Sequence, residues 1–267
     1  MKKLDINLYK DAIASYGLPT DNIRTPKIPG NTNPVFIVNA LSQSFIFKFG
    51  DRNMIMKNNT VSKIFETASI PAPKTFMHKY NEQYSEVYTY SPNKTLFERI
   101  NENMPYDKVK DVFQDALKYM HKMSELDEYC LDSHEHKYYY KVAGSNVAQN
   151  SGRIHSGFIQ TLVYLLTIGK KRLYHCDATP KNILVTPDDK FHSFIDLDSV
   201  ALSNDTFALS AMFTKYAQQG YDISELMDYF ENLAKRKIRR RRIHFQANLI
   251  TSARNLHRKY LNWRACH

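Results

Sequence analysis

The chain has 267 residues, of which 43% are hydrophobic and 13% aromatic. This composition predicts a globular protein of one or two domains and excludes a disordered chain. No apolar run approaches the roughly 20 residues of a membrane span, and the N-terminus lacks a signal-peptide apolar core, so we expect a soluble, cytoplasmic protein. Cys130, Cys176 and Cys266 are scattered, which argues against a disulfide framework or a zinc site.

The net charge of +10 is a property of the C-terminus. Eleven Lys and Arg residues follow residue 234, and no Asp or Glu does. Seven of them fall in the eight positions from Lys235 to Arg242, which we call the basic cluster. Such a cluster is either a solvated face or a contact site for a polyanion. Apolar residues at helical spacing from Ile243 to Tyr260 predict a helix after it.

The N-terminal third predicts a small sheet with two helices. Helical spacing indicates helices over 5–16 and 58–68, and alternation indicates strands over 35–38, 45–49, 75–80 and 85–90. In the second strand, alternation places Lys48 on the face opposite the three phenylalanines Phe45, Phe47 and Phe49.

The middle of the chain predicts two buried helices. Residues 108–126 carry apolar side chains at i, i+3 and i+4, which indicates a helix with one wide apolar face. Residues 157–168 are apolar enough for a second, buried helix. The polar, Tyr-rich residues 127–153 between them show no clear pattern, and we regard them as a candidate acceptor-binding element.

Residues 175–196 carry the most specific pattern. Two short apolar runs, 183–185 and 191–195, flank a turn and predict a β-hairpin. If Thr186 faces Phe191, then Asn182 faces Ile195, which brings the side chains of Asp177, Asn182 and Asp196 to one edge of the hairpin. Carboxylate and amide oxygens suit Mg²⁺, and a further carboxylate can accept a proton. In a purely structural interpretation, these residues would cap turns and end a strand.

The motif His175-x-Asp177-x-x-x-x-Asn182, followed by Ile195-Asp196, resembles that of the aminoglycoside phosphotransferase and choline kinase family. The resemblance implies an α+β, bilobal protein-kinase-like fold, with a small antiparallel-sheet N-lobe (1–90) and a mainly helical C-lobe (91–267). It also implies that Asp177 is the catalytic base and that Asn182 and Asp196 hold Mg²⁺ on ATP.

The same resemblance assigns residues in the N-lobe. Residues 30–33, ending in Asn33, would form the nucleotide-covering loop, and Lys48 would contact the phosphates. A Glu from the following helix normally pairs with that lysine. Glu66 is the only acid in 58–68, so either Glu66 pairs in a shifted register or an amide at position 58 or 59 replaces it.

The expected function is ATP-dependent transfer of the γ-phosphate to a hydroxyl of a small molecule, of the aminoglycoside, choline or amino alcohol, or sugar type. The alternative is a non-catalytic, kinase-like nucleotide-binding module that binds an anionic partner through the basic cluster.

Two further aspartates lie near the motif. Asp198 would be a second metal ligand or a solvated neighbour. Asp205 is expected to be a structural N-cap.

Overall fold

The computed structural model describes residues 6–26, 33–40, 43–126, 170–241 and 243. The chain divides into two compact units, Met1–Asn93 and Lys94–His267. The predicted helix 157–168, nearly all of the predicted helix after Ile243 and the segment 127–153 lie outside the described residues. No helix among the described residues is both long and apolar enough to cross a membrane.

Unit 1 contains a five-stranded antiparallel sheet with the strand order β1-β2-β3-β5-β4. Its central strand is β3, in which aromatic residues alternate with Ile46 and Lys48, a pattern typical of a sheet with two covered faces. The strands are β1 (Ile23–Arg24), β2 (Val35–Ala40), β3 (Gln43–Gly50), β4 (Phe76–Tyr80) and β5 (Gln83–Thr89).

One face of this sheet is the apolar core of unit 1. Helix α1 (Asn7–Ser15) packs there and ends before Gly17, which has a φ of +85°. Phe47 and Phe49 lie on this face, whereas the alternation of β3 places Lys48 on the other, as predicted. The buried side chains of this core are Ala12, Ile13, Phe36, Val38, Phe47, Phe49 and Val87.

Helix α2 (Arg52–Thr67) covers the opposite face. Its N-cap is Asp51, whose carboxylate accepts a hydrogen bond from the Met54 backbone N–H at 2.9 Å. The predicted start at residue 58 was therefore six residues too late, because the N-cap signal at Asp51 was overlooked. The earlier start places Asn58 in the middle of the helix, fully buried.

The described part of unit 2 contains four helices. Helix α4 buries the apolar face that its sequence predicted, including Val109, Phe113 and Met120. Thr95 and Glu98 form a capping box at the start of α3. The helices are α3 (Leu96–Asn101), α4 (Tyr106–Ser124), α5 (Asp205–Ala217) and α6 (Ile223–Ala234).

Five short strands of unit 2 hold the loops that contain the motif residues. A three-stranded sheet has the order β6-β8-β9, and β7 pairs with β10. The β7–β10 pairing was not predicted. The strands are β6 (Lys94–Thr95), β7 (Arg172–His175), β8 (Ile183–Val185), β9 (Phe191–Phe194) and β10 (Val200–Ser203).

Asp205 is structural, as predicted, but it is not the N-cap of α5. Asn204 is the N-cap, and its side chain accepts from the Phe207 N–H at 2.8 Å. The Asp205 carboxylate instead accepts hydrogen bonds from the Tyr174 hydroxyl at 2.7 Å and from Arg236 Nε at 2.8 Å. This network ties α5 to β7 and to the chain that follows α6.

Candidate active site

The loop between β7 and β8 brings Asp177 and Asn182 into direct contact. Asn182 Nδ2 donates to the Asp177 carboxylate oxygen Oδ2 at 3.0 Å and to its backbone oxygen at 2.9 Å. Within the loop, the Thr179 N–H donates to the Asp177 carbonyl at 2.7 Å, and the Asn182 N–H donates to the Thr179 carbonyl at 2.8 Å. The Asp177 carboxylate is thus held at a half-buried position by a rigid loop.

The β8–β9 hairpin brings Asp196 next to this loop. The Ile195 N–H donates to the Asn182 carbonyl at 3.0 Å, which is the register that the sequence predicted. A one-residue bulge near the turn makes Thr186 pair with Lys190 instead of Phe191, so the predicted register is wrong at that end only.

The backbone at Asp196 is unusual. Its φ of 62° and ψ of 66° place a non-glycine residue in the left-handed region. Such conformations cost energy and cluster at functional sites, although Asp tolerates them better than most residues. The conformation separates the end of β9 from a single 3₁₀ turn, Leu197–Ser199, and leaves the Asp196 side chain half-exposed.

His175 links the two halves of the motif. Its side chain is fully buried, and Nε2 lies 2.8 Å from the carbonyl oxygen of Ile195. A carbonyl oxygen only accepts hydrogen bonds, so Nε2 carries the proton. The histidine thereby joins the end of β7 to the residue that precedes Asp196, which is a positioning role.

The chemistry of these side chains fits a magnesium–phosphate site. The amide nitrogen of Asn182 donates to Asp177, so its amide oxygen is the atom that can bind a metal ion. Among the described residues, no group of three or more His, Cys, Asp and Glu could hold a metal ion. One carboxylate and one amide oxygen instead match Mg²⁺, which commonly takes its other ligands from phosphates and water. Asp198 is also half-exposed, in the adjoining 3₁₀ turn.

In unit 1, Lys48 lies opposite Glu86 in the β3–β5 ladder. Both residues are buried, with exposed fractions of 7% and 3%. The buried amide of Asn58 on α2 donates from Nδ2 to Glu86 Oε2 at 2.8 Å. Asn58 thus contacts the carboxylate that lies opposite Lys48, and the replacement of the family's helix glutamate by an amide stays a prediction.

Glu66 was one of the two alternatives that the sequence left open for pairing with Lys48, and it pairs with Lys74 instead. Glu66 lies near the exposed end of α2 and accepts a hydrogen bond from Lys74 at 2.8 Å, and both side chains are more than half exposed. The physical reason is helical geometry, since Glu66 lies two turns beyond Asn58 on the solvent side of α2. Glu86 was missed, although its place in the predicted strand 85–90 could have suggested it as a cross-strand partner of Lys48.

Asn33 is the one residue of the predicted nucleotide-covering loop that the structure describes. Its Nδ2 lies 3.3 Å from the sulfur of Met54, in the first turn of α2. Residues 30–32 lie outside the described residues. The assignment of Asn33 to nucleotide binding therefore stays a prediction.

Part of the basic cluster pairs with acids inside unit 2. Arg236 binds Asp205, and Glu231 accepts hydrogen bonds from Lys237 and Arg240 at 3.0 and 2.7 Å. The pKa of Glu231 is lowered to about 2, mainly because of the hydrogen bond from Arg240. Part of the cluster therefore forms ion pairs within unit 2, whereas the sequence had predicted either a solvated face or a polyanion contact. Three further members with described side chains are exposed: Lys235, Arg239 and Arg241.

No protein-family model and no curated protein sequence matches the chain. Solved structures do match its fold. The aminoglycoside phosphotransferase APH(3'')-Id from Streptomyces rimosus, in complex with ADP and streptomycin, superposes with a TM-score of 0.65 at 11% identity, over 94% of this chain and 99% of that one.

Two further solved structures support the same fold. For a type VIII aminoglycoside-3'-phosphotransferase, the TM-score is 0.66 at 13% identity, over 91% of this chain and 98% of that one. For the macrolide 2'-phosphotransferase MphH from Brachybacterium faecium, the TM-score is 0.56 at 12% identity, over 95% of this chain and 96% of that one. The chain therefore has the protein-kinase-like fold of the aminoglycoside phosphotransferases, and the predicted fold class is confirmed.

Proposed function

We propose that this chain, which has the fold of the aminoglycoside phosphotransferases, transfers the γ-phosphate of ATP to a hydroxyl group of a small molecule. The observation that carries the proposal is the pairing of Asp177 with Asn182 at 3.0 Å, in a loop bonded to the residue before Asp196. These three oxygen-bearing side chains are the groups that phosphoryl transfer requires on a kinase-like fold.

Asp177 orients the acceptor hydroxyl and takes its proton. The hydroxyl oxygen forms a bond to the γ-phosphorus, the bond between that phosphorus and the β,γ-bridging oxygen breaks, and ADP leaves. Asn182 holds one oxygen of the Asp177 carboxylate, which fixes the plane of the group towards the acceptor. Phosphoryl transfer depends mostly on positioning and on neutralised charge, so a rigidly held carboxylate is well suited to this role.

Asn182 and Asp196 are the residues proposed to hold Mg²⁺. When bound, the metal would neutralise charge on the phosphates of ATP. Asp198 is a candidate second ligand from the 3₁₀ turn that follows Asp196.

Lys48 and Asn33 are proposed to bind the nucleotide. A lysine ammonium next to the nucleotide can bind phosphate oxygens as a point charge. Asn33 ends the segment that precedes β2, and its amide can donate to a phosphate.

The acceptor class is proposed from the neighbours. One solved neighbour is a complex with streptomycin and another with kanamycin, and a third is a macrolide phosphotransferase. Aminoglycosides and macrolides are therefore the acceptors to screen first, by ATP consumption with the full chain. The amino alcohols and sugars expected from the sequence come next.

The decisive variant is Asp177→Ala. General-base and positioning contributions are about 10²- to 10⁴-fold, so turnover should fall at least 100-fold while binding of Mg²⁺-ATP is retained. Asp188→Ala is the matched control, because Asp188 is an exposed aspartate in the β8–β9 turn. Turnover of Asp177→Ala within tenfold of wild type would show that Asp177 is not the base.

A further inference from the structure

Lys48 of β3 and Glu86 of β5 lie directly opposite each other in the sheet of unit 1. Residues paired in this way project to the same face, with their Cβ atoms about 5 Å apart. Exposed fractions of 7% and 3% make both side chains buried. Lysine and glutamate are almost never buried to this degree unless they are paired, and the ladder places this buried lysine opposite this buried glutamate.

Helix α2 holds the Glu86 carboxylate in place. The fully buried Asn58 donates from Nδ2 to Glu86 Oε2 at 2.8 Å. A hydrogen bond to a carboxylate is stronger than one between neutral groups, so this contact fixes the position of the Glu86 side chain. Glu86 is therefore held from the helix side and lies beside Lys48 on the strand side.

Helix α2 supplies no carboxylate to this face. Its only acidic residue is Glu66, which is exposed and paired with Lys74. Among the described residues of unit 1, Glu86 is the only buried Asp or Glu. If Lys48 is oriented by a buried carboxylate of its own unit, that carboxylate comes from β5.

We propose that Glu86 is the positioning residue for Lys48, and that α2 contributes the amide of Asn58 to hold Glu86. The inference rests on the proposed function, since it assigns Lys48 to the phosphates of ATP. An unguided lysine has a long flexible side chain, and ordering it costs conformational entropy on binding. A carboxylate fixed beside Lys48 restricts that side chain before the nucleotide arrives, which improves affinity.

Lys57 is the competing partner. It lies on α2 next to Asn58 in sequence and is also buried, with 1% exposed. Glu86 could serve Lys57 instead, so the experiment must separate the two lysines.

The test is a pair of double-mutant cycles on the full chain, with Mg²⁺-ATP binding measured by calorimetry. Lys48→Met and Glu86→Gln should each weaken binding by about tenfold or more, and the double variant should bind about as weakly as Lys48→Met alone, because Glu86 acts through Lys48. The matched cycle of Lys57→Met with Glu86→Gln should be additive. Additive losses in the Lys48 cycle, or coupling only in the Lys57 cycle, would overturn the proposal.

The conservative variant Glu86→Asp separates positioning from loss of structure. It keeps a carboxylate on β5 opposite Lys48, whereas Glu86→Gln keeps the length of the side chain and removes the charge. Glu86→Asp should therefore bind Mg²⁺-ATP at least about threefold more tightly than Glu86→Gln. A Glu86→Asp variant with native circular dichroism that binds as weakly as Glu86→Gln would overturn the positioning role.

Calorimetry on the wild-type chain distinguishes a failure of the proposed function from a failure of the Glu86 role. A wild-type chain that does not bind Mg²⁺-ATP would overturn the proposed function and, with it, the role of Glu86. A wild-type chain that binds Mg²⁺-ATP, with additive losses in the Lys48 cycle, would overturn the role of Glu86 alone.

Discussion

Replacement of Asp205 by Asn should strongly destabilise unit 2. The Asp205 carboxylate accepts hydrogen bonds from Tyr174 at 2.7 Å and from Arg236 at 2.8 Å, with Arg172 at 3.4 Å. An asparagine can still accept from Tyr174. Its NH₂ group, however, would face the donors of Arg236, and two arginines would lose their carboxylate.

The magnitude follows from burial and from the hydrogen bonds lost. Removing one partner of a buried ion pair costs about 3–5 kcal/mol, and a hydrogen bond to a charged group contributes about 1.5–3 kcal/mol. The side chains of Asp205 and Arg236 are 15% and 23% exposed, so solvent screens part of their interaction. We expect a loss near the lower end, about 3 kcal/mol.

Urea unfolding followed by far-UV circular dichroism measures this loss. With a slope of about 3 kcal/mol per molar urea, the midpoint should fall by roughly 1 M. The matched control is Glu66→Gln, which makes the same kind of change at an exposed ion pair with Lys74 and should cost less than about 1 kcal/mol. If the midpoint falls no further for Asp205→Asn than for Glu66→Gln, the Asp205 carboxylate does not stabilise unit 2.

The pH dependence gives a second check. Burial acts to raise the pKa of Asp205, but hydrogen bonds from Arg236 and Tyr174 outweigh it and hold the pKa below its ordinary value. The stabilisation is therefore fully present above the unfolded-state pKa of about 3.9 and is lost as the pH falls through the lower folded-state pKa. The difference between wild type and Asp205→Asn should be constant at neutral pH and shrink in acid.

Three further outcomes are expected. Asp196→Ala should remove most of the Mg²⁺ dependence of ATP binding, because it deletes the anionic metal ligand, and equal enhancement by Mg²⁺ in calorimetry would contradict the assignment. Glu66→Gln should leave nucleotide affinity unchanged, since that carboxylate binds Lys74, and a tenfold loss would restore the original prediction for this residue. If the exposed part of the basic cluster binds a polyanion, the double variant Arg239→Gln, Arg241→Gln should be retained less on heparin than wild type between about 50 and 300 mM salt. The control double variant Lys63→Gln, Lys108→Gln removes the same charge elsewhere and should lose less retention. Equal retention of the two double variants would show that the exposed part of the basic cluster is only a solvated face.

Local patterns determined most of the elements. The alternation in β3 placed Lys48 opposite the phenylalanines, and the apolar spacing of α4 identified its buried face, because both depend on the fixed period of a strand or a helix. The hairpin register at Asn182 also matched the prediction, although the pairing of Thr186 with Phe191 from which it was inferred does not form.

The pairing at hairpin turns and the exact ends of helices were not predictable from periodicity. The bulge that pairs Thr186 with Lys190 depends on local backbone geometry, including the positive φ of Asp189. The start of α2 depended on the cap at Asp51, which precedes a run without strong periodicity.

By itself, the sequence determined the motif that contains Asp177, Asn182 and Asp196, because their spacing in a loop and hairpin is a local property of the chain. The positions of charged residues far apart in the sequence depend on the folded chain. Glu86 lies 38 positions after Lys48 and Arg236 lies 31 positions after Asp205, and no local pattern joins either pair. A buried charge selects its partner by proximity in the folded chain, where desolvation makes pairing decisive.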